Sequence, residues 1–189
     1  MKLSIDRIIK LIPEWNHKLI KLEPINRGIT NINYELTVDN ESFFLSIPSS
    51  KASLLNIDYK NKYFNNQICG NINISPEVVH FIESENLLVT KFLKSKPLTL
   101  DFFQSPIEIE QLVGNIKLLH NGKPFLKNFN MFNQINIYQN ILKKGFIKKN
   151  LLRYINKIKE IQQKLYLSNN KLVPCHNDLL AENLIRNNN

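Results

Sequence analysis

The chain has 189 residues, 43% of them hydrophobic, with a formal net charge of +9; that is enough for one ordinary domain or two small lobes around a real core. The charge is carried by 21 Lys against only 4 Arg, beside 28 Asn and 25 Ile, the residue usage of A/T-rich codons, and it lacks the arginines that grip bases and phosphates bidentately. Nucleic acid is therefore not an expected partner, and neither is a membrane, since no apolar run approaches the about 18 residues of a spanning helix.

In chain order, Ile5, Ile8, Ile9 and Ile12 recur at helical spacing behind Ser4, a candidate N-cap, and Pro13 ends the pattern. Leu19 to Ile25 alternates like a half-buried strand. Asn33 to Val38 and Ser42 to Ile47 are the next two, joined through Asp39-Asn40 as a hairpin. Ile57 to Cys69 is predicted helical, with Ile57, Phe64 and Ile68 on one face. Ser75-Pro76 interrupts, and Val78 to Ile82 and Leu87 to Leu93 follow as two strands across the polar turn Glu83 to Asn86. Lys94 to Thr99 is the expected hinge. Beyond it the pattern is helical: Ile107 to Leu119, with Ile109, Leu112, Val113, Ile116 and Leu119 on a face, then Phe132 to Leu142 and about Lys149 to Leu167. Lys143, Lys144, Lys148 and Lys149 are expected at solvated helix ends, and Asn187 to Asn189 frayed. Leu172 to Cys175 reads as a further strand, with another beginning after Asn183.

Cys69 and Cys175 lie far apart with no metal-type spacing. Cys175 is expected to be a buried thiol, and two unbridged cysteines fit a reducing cytoplasm. Lys2, Asp6 and Arg7 place charges inside what would be the apolar core of a leader. His17, His80 and His120 are scattered and are expected at the surface or at helix ends, not as ligands.

Several segments together carry a resemblance. They are Gly28-Ile-Thr-Asn-Ile-Asn-Tyr34, Phe44-Leu-Ser-Ile-Pro48, Ile74-Ser-Pro-Glu-Val-Val-His-Phe81, Leu88-Val-Thr-Lys-Phe-Leu93, Leu118-Leu-His-Asn121 and Cys175-His-Asn-Asp-Leu-Leu-Ala-Glu-Asn183. The last holds His176-x-Asp178-x4-Asn183, the spacing of a kinase catalytic loop. Over nearly its whole length the chain resembles the choline/ethanolamine kinase family. The likeness is to its bacterial choline kinase branch, within the aminoglycoside-phosphotransferase-like and protein-kinase-like superfamily. The fold this implies is α+β and two-lobed. Residues 1–93 would be a nucleotide-binding lobe of five antiparallel strands and one helix, and residues 94–189 part of a mainly helical lobe.

The resemblance also implies roles. Asp178 would orient and deprotonate the acceptor hydroxyl, His176 would hold the loop, and Asn183 would bind Mg2+. Gly28, Thr30 and Asn31 would line the triphosphate of ATP. Lys91, Phe92 and Leu93 would offer backbone groups to the adenine edge. The implied reaction moves the γ-phosphoryl group of ATP to the hydroxyl of a small alcohol such as choline or ethanolamine.

Three departures bear on that expectation. Ser46 stands where the family places a base in the third strand. Lys62 stands where the following helix usually supplies a Glu, so Lys62 is a candidate replacement for the missing base. The family's acidic metal-binding strand would follow the catalytic loop, and six residues follow Asn183. The expectation is a truncated or fragmentary kinase; the alternative is a degenerate, non-catalytic protein that binds nucleotide or a partner.

Overall fold

The computed structural model describes residues 3–26, 28, 30–52, 57–95, 98–142, 149–166 and 171–186. Lys2, Ile29, Lys143, Lys144, Lys148, Leu167 and Asn187 to Asn189, which entered the sequence expectations, lie outside the described residues, as do 96 and 97 of the expected hinge. The chain divides into two compact units, Met1–Leu126 with Pro174–Asn189, and Lys127–Val173.

The first unit is built on a five-stranded antiparallel sheet. Its strands are β1 (Ile20–Ile25), β2 (Asn31–Val38), β3 (Glu41–Pro48), β4 (Val78–Ile82) and β5 (Leu87–Lys91), in the spatial order β1-β2-β3-β5-β4. The β2–β3 hairpin turns on Asp39 and Asn40, with Asp39 at φ 55. Asp39 also accepts from the Leu19 N–H (3.0 Å) and so anchors the entry to β1. Asparagine and aspartate tolerate this left-handed backbone better than other residues with a Cβ.

Side chains alternate across a strand, so each side of the sheet can be read from burial. Tyr34, Leu36 and Val38 of β2, Phe43 and Leu45 of β3, and Leu87 and Val89 of β5 form one core with Leu3, Ile8, Ile12 and Trp15. Ile8 and Ile12 come from α1 (Ile5–Leu11) and its C-cap, and Ser4 caps α1 by accepting from the Arg7 N–H (3.3 Å). A one-turn 3-10 segment, Pro13–Trp15, follows α1 and sets Trp15 against Phe43 and edge-on to His80. The opposite face carries Ser46, Leu88 and Thr90, all buried. It receives α2 (Tyr59–Asn71) through the buried Ile68 and through Tyr63, which stacks on Phe81 with ring centroids 4.5 Å apart. Both faces are thus covered, and Leu87 to Thr90 are buried without interruption.

After β5, Leu100–Gln104 forms a short 3-10 segment and leads into α3 (Pro106–His120), capped by Ser105 and buried at Leu119. The second unit holds α4 (Met131–Ile141) and α5 (Lys149–Tyr166). The Asn130 side chain caps α4 by accepting from the Phe132 and Asn133 N–H groups. Among the described residues no helix is long and apolar enough to cross a membrane.

The structure corrects the sequence expectations in several places. Phe64 is 38% exposed, and Tyr63 takes the place on the sheet that helical spacing gave to it. Ile109 and Val113 of α3 are also exposed. The strand expected to run to Leu93 ends at Lys91. Residues 171–180 form no strand, and beyond Ala181–Asn183, a 3-10 turn, Ile185 makes a single bridge. Pro174 lacks the N–H a ladder needs, and Asn177 at φ 63 cannot extend one. Cys175 is half-buried, not buried, and neither cysteine is in a disulfide.

Candidate functional site

Two clusters in the first unit gather the candidate residues. The first lies where β1 hands over to β2. Gly28 has φ +94, and a Cβ there would stand 3.1 Å from Asn33 Nδ2, so a residue with a side chain is both strained and crowded at this turn. The Thr30 carbonyl accepts from the Ser49 N–H (2.9 Å). Asn31 Nδ2 donates to Thr30 Oγ1 (3.3 Å), and the Tyr59 hydroxyl donates to Asn31 Oδ1 (3.5 Å). Thr30 and Asn31 are therefore tied to each other, to the exit of β3 and to the first residue of α2.

Lys62 enters the same cluster from α2. Asp58 caps this helix, accepting from the Asn61 N–H (2.9 Å), and the Lys62 N–H bonds the Asp58 carbonyl (2.9 Å). The Lys62 ammonium lies 5.8 Å from the centroid of the Tyr59 ring, within cation–π range. Burial pulls the Lys62 pKa below its ordinary value and pushes the Tyr59 phenol above its own.

Lys91, Phe92 and Leu93 follow at the end of the sheet. The Lys91 N–H bonds the Glu77 carbonyl (2.9 Å), the Phe92 N–H bonds the Ser42 carbonyl (3.2 Å), and the Leu93 carbonyl accepts from Ser95 (2.8 Å). The Lys91 side chain points elsewhere, to Glu41 (2.6 Å). That hydrogen bond and the Glu41 charge hold the lysine above its ordinary pKa.

The second cluster is the His176-x-Asp178-x4-Asn183 segment. Asn183 Nδ2 donates to the Asp178 carboxylate (2.8 Å) and to the Asp178 carbonyl (3.0 Å). The 3-10 turn Ala181–Asn183 folds the chain back to make this contact. The Asp178 N–H donates to His176 Nδ1 (3.2 Å), across the left-handed Asn177. The exit of the loop is fastened twice: the Leu98 N–H bonds the Leu184 carbonyl (3.0 Å), and Arg186 pairs with Glu108 on the first turn of α3. All three of His176, Asp178 and Asn183 are exposed.

The arrangement offers an aspartate with one oxygen held by an amide, and an asparagine engaged there through its amide nitrogen. Among the described residues no group of three or more His, Cys, Asp or Glu side chains is placed to hold a metal ion. Of the other histidines, His17 is exposed and His120 half-buried on α3. His80 is not a plain surface residue: it packs on Trp15 and faces Glu14 at 3.3 Å. Tyr59, Glu108, Arg186 and Asn177 were not foreseen. Only Asn177 carried a signal, as an asparagine between two residues that the loop must turn towards each other.

The sheet order, the helix after β3 and the folded-back Asp178–Asn183 loop define a protein-kinase-like fold, in the form adopted by choline and ethanolamine kinases. Superposition bears this out. Choline kinase LicA from Streptococcus pneumoniae matches with a TM-score of 0.77 at 17% identity, covering 97% of this chain and 64% of that one. A choline/ethanolamine kinase family protein from Mesorhizobium loti matches with a TM-score of 0.72 at 22% identity, covering 95% and 60%. A structure of LicA in complex with AMP also matches with a TM-score of 0.77, at 18% identity over 97% of this chain and 64% of that one. By sequence, the chain is 26% identical over 163 residues to Protein LicA of Haemophilus influenzae, covering 84% of this chain and 48% of that protein. It thus spans about half the length of that curated relative. No protein-family model matches the chain.

Proposed function

We propose that this chain carries the nucleotide-binding and hydroxyl-activating parts of an ATP-dependent small-molecule kinase of the choline/ethanolamine type. The observation that carries the reading is the 2.8 Å bond from Asn183 Nδ2 to the Asp178 carboxylate, made in a fold shared with such kinases. The bond orients the carboxylate and engages the amide nitrogen of Asn183, not its oxygen. In this reading residues 1–93 bind the nucleotide, and residues 94–189 bring the acceptor chemistry. Gly28, Thr30 and Asn31 line the phosphates. The Lys91 and Phe92 N–H groups are engaged in the sheet, so an adenine edge is met by the Leu93 N–H.

Asp178 takes the proton of the acceptor hydroxyl as that oxygen bonds to the γ-phosphorus and the bond to the ADP oxygen breaks. His176 positions Asp178 through its backbone. The donor set fits Mg2+ only in part. Asn183 Oδ1 is a hard oxygen ligand, and this ion commonly takes one or two protein oxygens, with phosphate oxygens and water supplying the remainder. Once bound, it would neutralise charge on the phosphates. The acceptor is a small alcohol such as choline or ethanolamine, the partners named for the structural neighbours. Two cysteines outside any disulfide suit a cytoplasmic setting, and a charge carried by lysines rather than arginines suits a protein that does not bind nucleic acid.

A second reading is nucleotide binding without transfer. It rests on Ser46, a buried hydroxyl on β3 that carries no charge towards a phosphate. Phosphorylation of choline and ethanolamine, followed with ATP and Mg2+, separates the two. Turnover that falls by about 10²- to 10⁴-fold in Asp178→Asn, with ATP affinity retained, is the expected result. ATP binding with no Asp178-dependent turnover would select the second reading, and no nucleotide binding at all would sink both.

A further inference from the structure

We propose that Asn121 is a site of self-modification: its side-chain amide is lost to ring closure with the Gly122 nitrogen and returns as aspartate or isoaspartate, at a rate set by opening of the last turn of α3. Of the 28 asparagines in the chain, Asn121 alone is followed by glycine. Packing asks for that glycine. A Cβ at residue 122 would stand 3.1 Å from the Leu119 carbonyl oxygen and 3.4 Å from that of Leu118. A glycine nitrogen is also the least shielded backbone nucleophile, because no Cβ screens its approach to the neighbouring side chain. Asn73 and Asn86 hold left-handed turns after α2 and before β5. The residues that follow them are Ile74 and Leu87, whose side chains obstruct the same attack.

The chemistry consumes only water. The Gly122 nitrogen bonds to Asn121 Cγ, the Cγ–Nδ2 bond breaks, and ammonia leaves with the Gly122 amide proton. Water then opens the cyclic imide at either carbonyl. Base speeds the first step by taking the amide proton. In the folded chain both reacting groups are occupied. Asn121 is exposed, but its Nδ2 donates to the Lys117 carbonyl (2.9 Å), and the Gly122 N–H donates to the Leu119 carbonyl (3.0 Å). The C-cap backbone of Asn121, at φ −93 and ψ 0, keeps the Gly122 nitrogen off the line to Cγ. Ring closure therefore waits for the turn to fray, which helix ends do more readily than a core.

The product alters a junction. A carboxylate at this end of α3 faces the partial negative charge of the last carbonyls and cannot donate to the Lys117 carbonyl. Isoaspartate adds a methylene to the backbone beside the buried Leu119. The same turn joins α3 to α2. A Cβ at residue 122 would meet Ile72 Cδ1, at the C-cap of α2, at 3.9 Å, and the Leu126 N–H bonds Asn65 Oδ1 (3.4 Å). The modification loosens that join.

The test ages the full chain in neutral and mildly alkaline buffer, folded and unfolded in guanidinium chloride, and maps its peptides by mass spectrometry. Asn121 is expected to convert ahead of every other asparagine, faster at the higher pH, and severalfold more slowly in the folded chain than in the unfolded one. Ion exchange should resolve the product by the fall in formal net charge from +9 to +8 (9 − 1). Leu119→Ala, which unpacks the turn, should bring the folded rate towards the unfolded rate. If that variant fails to fold, the comparison of folded and unfolded wild type decides. Gly122→Ala should slow conversion even in denaturant, a reading that needs no folding. Another asparagine converting first, equal rates in the two states, or no conversion at Asn121 overturns the proposal. Asn121→Asp should lower the melting temperature by about 1–4 °C, and an unchanged melting curve overturns the loosening of the α3–α2 join. None of these readouts involves phosphoryl transfer, so the proposed activity stands or falls apart from them.

Discussion

Asn177 is held at φ 63 between His176 and Asp178, and the 3.2 Å bond from the Asp178 N–H to His176 Nδ1 spans it. That backbone costs a β-branched residue far more than it costs asparagine or glycine. Asn177→Gly should therefore leave urea stability nearly unchanged, while Asn177→Val should lose about 1–2 kcal/mol and reduce turnover along with it. At this scale the sequence was legible where contacts are local. Ser4 caps α1 from three residues away, and Asp178 meets Asn183 from five. Tyr59 reaches Asn31 across 28 residues, and Glu108 and Arg186 meet across 78 (186 − 108). No spacing rule announces such pairs, because the sheet brings them together only once it has formed.

At the scale of elements, the alternation of Tyr34, Leu36 and Val38 pointed correctly to a half-buried β2. It could not show that the sheet is covered twice, by α1 and Trp15 on one side and α2 on the other. The uninterrupted burial of Leu87 to Thr90 is the mark of that arrangement. In α2, a helix of mostly Asn, Lys and Gln around a few apolar residues, spacing chose Phe64. The flat stack of Tyr63 on Phe81 decided the actual face. The apolar run at Leu172 to Cys175 failed as a strand because Pro174 cannot donate to a ladder. Leu45, fully buried on β3 between β2 and β5, is the natural probe of the first core. Leu45→Ala should cost about 2–5 kcal/mol in urea denaturation. Ser46→Ala, next to it on the other face, removes only a hydroxyl and should cost much less.

For the whole molecule, the distinctive point is that Pro174–Asn189 returns to the unit that Met1–Leu126 began. The return is fastened by the Leu98–Leu184 hydrogen bond and the Glu108–Arg186 pair. The pair is half exposed, so Arg186→Ala should change stability by no more than about 1 kcal/mol. If the proposed kinase activity holds, the same change should slow that transfer by up to about 100-fold through drift of Asn183, and kinetics beside a melting curve would show the split. The same connectivity sets an order of events during synthesis. Every strand of the sheet is on the chain by Lys91, and Asp178 follows 87 residues later (178 − 91), roughly 4–17 s at ribosomal speed. For that interval the nascent sheet must guard its own open edges against neighbouring chains. Both edges are suited to it: β1 carries Lys21, Glu23 and Pro24, and the β4 ladder is broken by a register shift between Val78 and His80. Such charges, prolines and irregularities discourage strand addition, so what protects this protein from aggregation on the ribosome is written into the first half of its sequence.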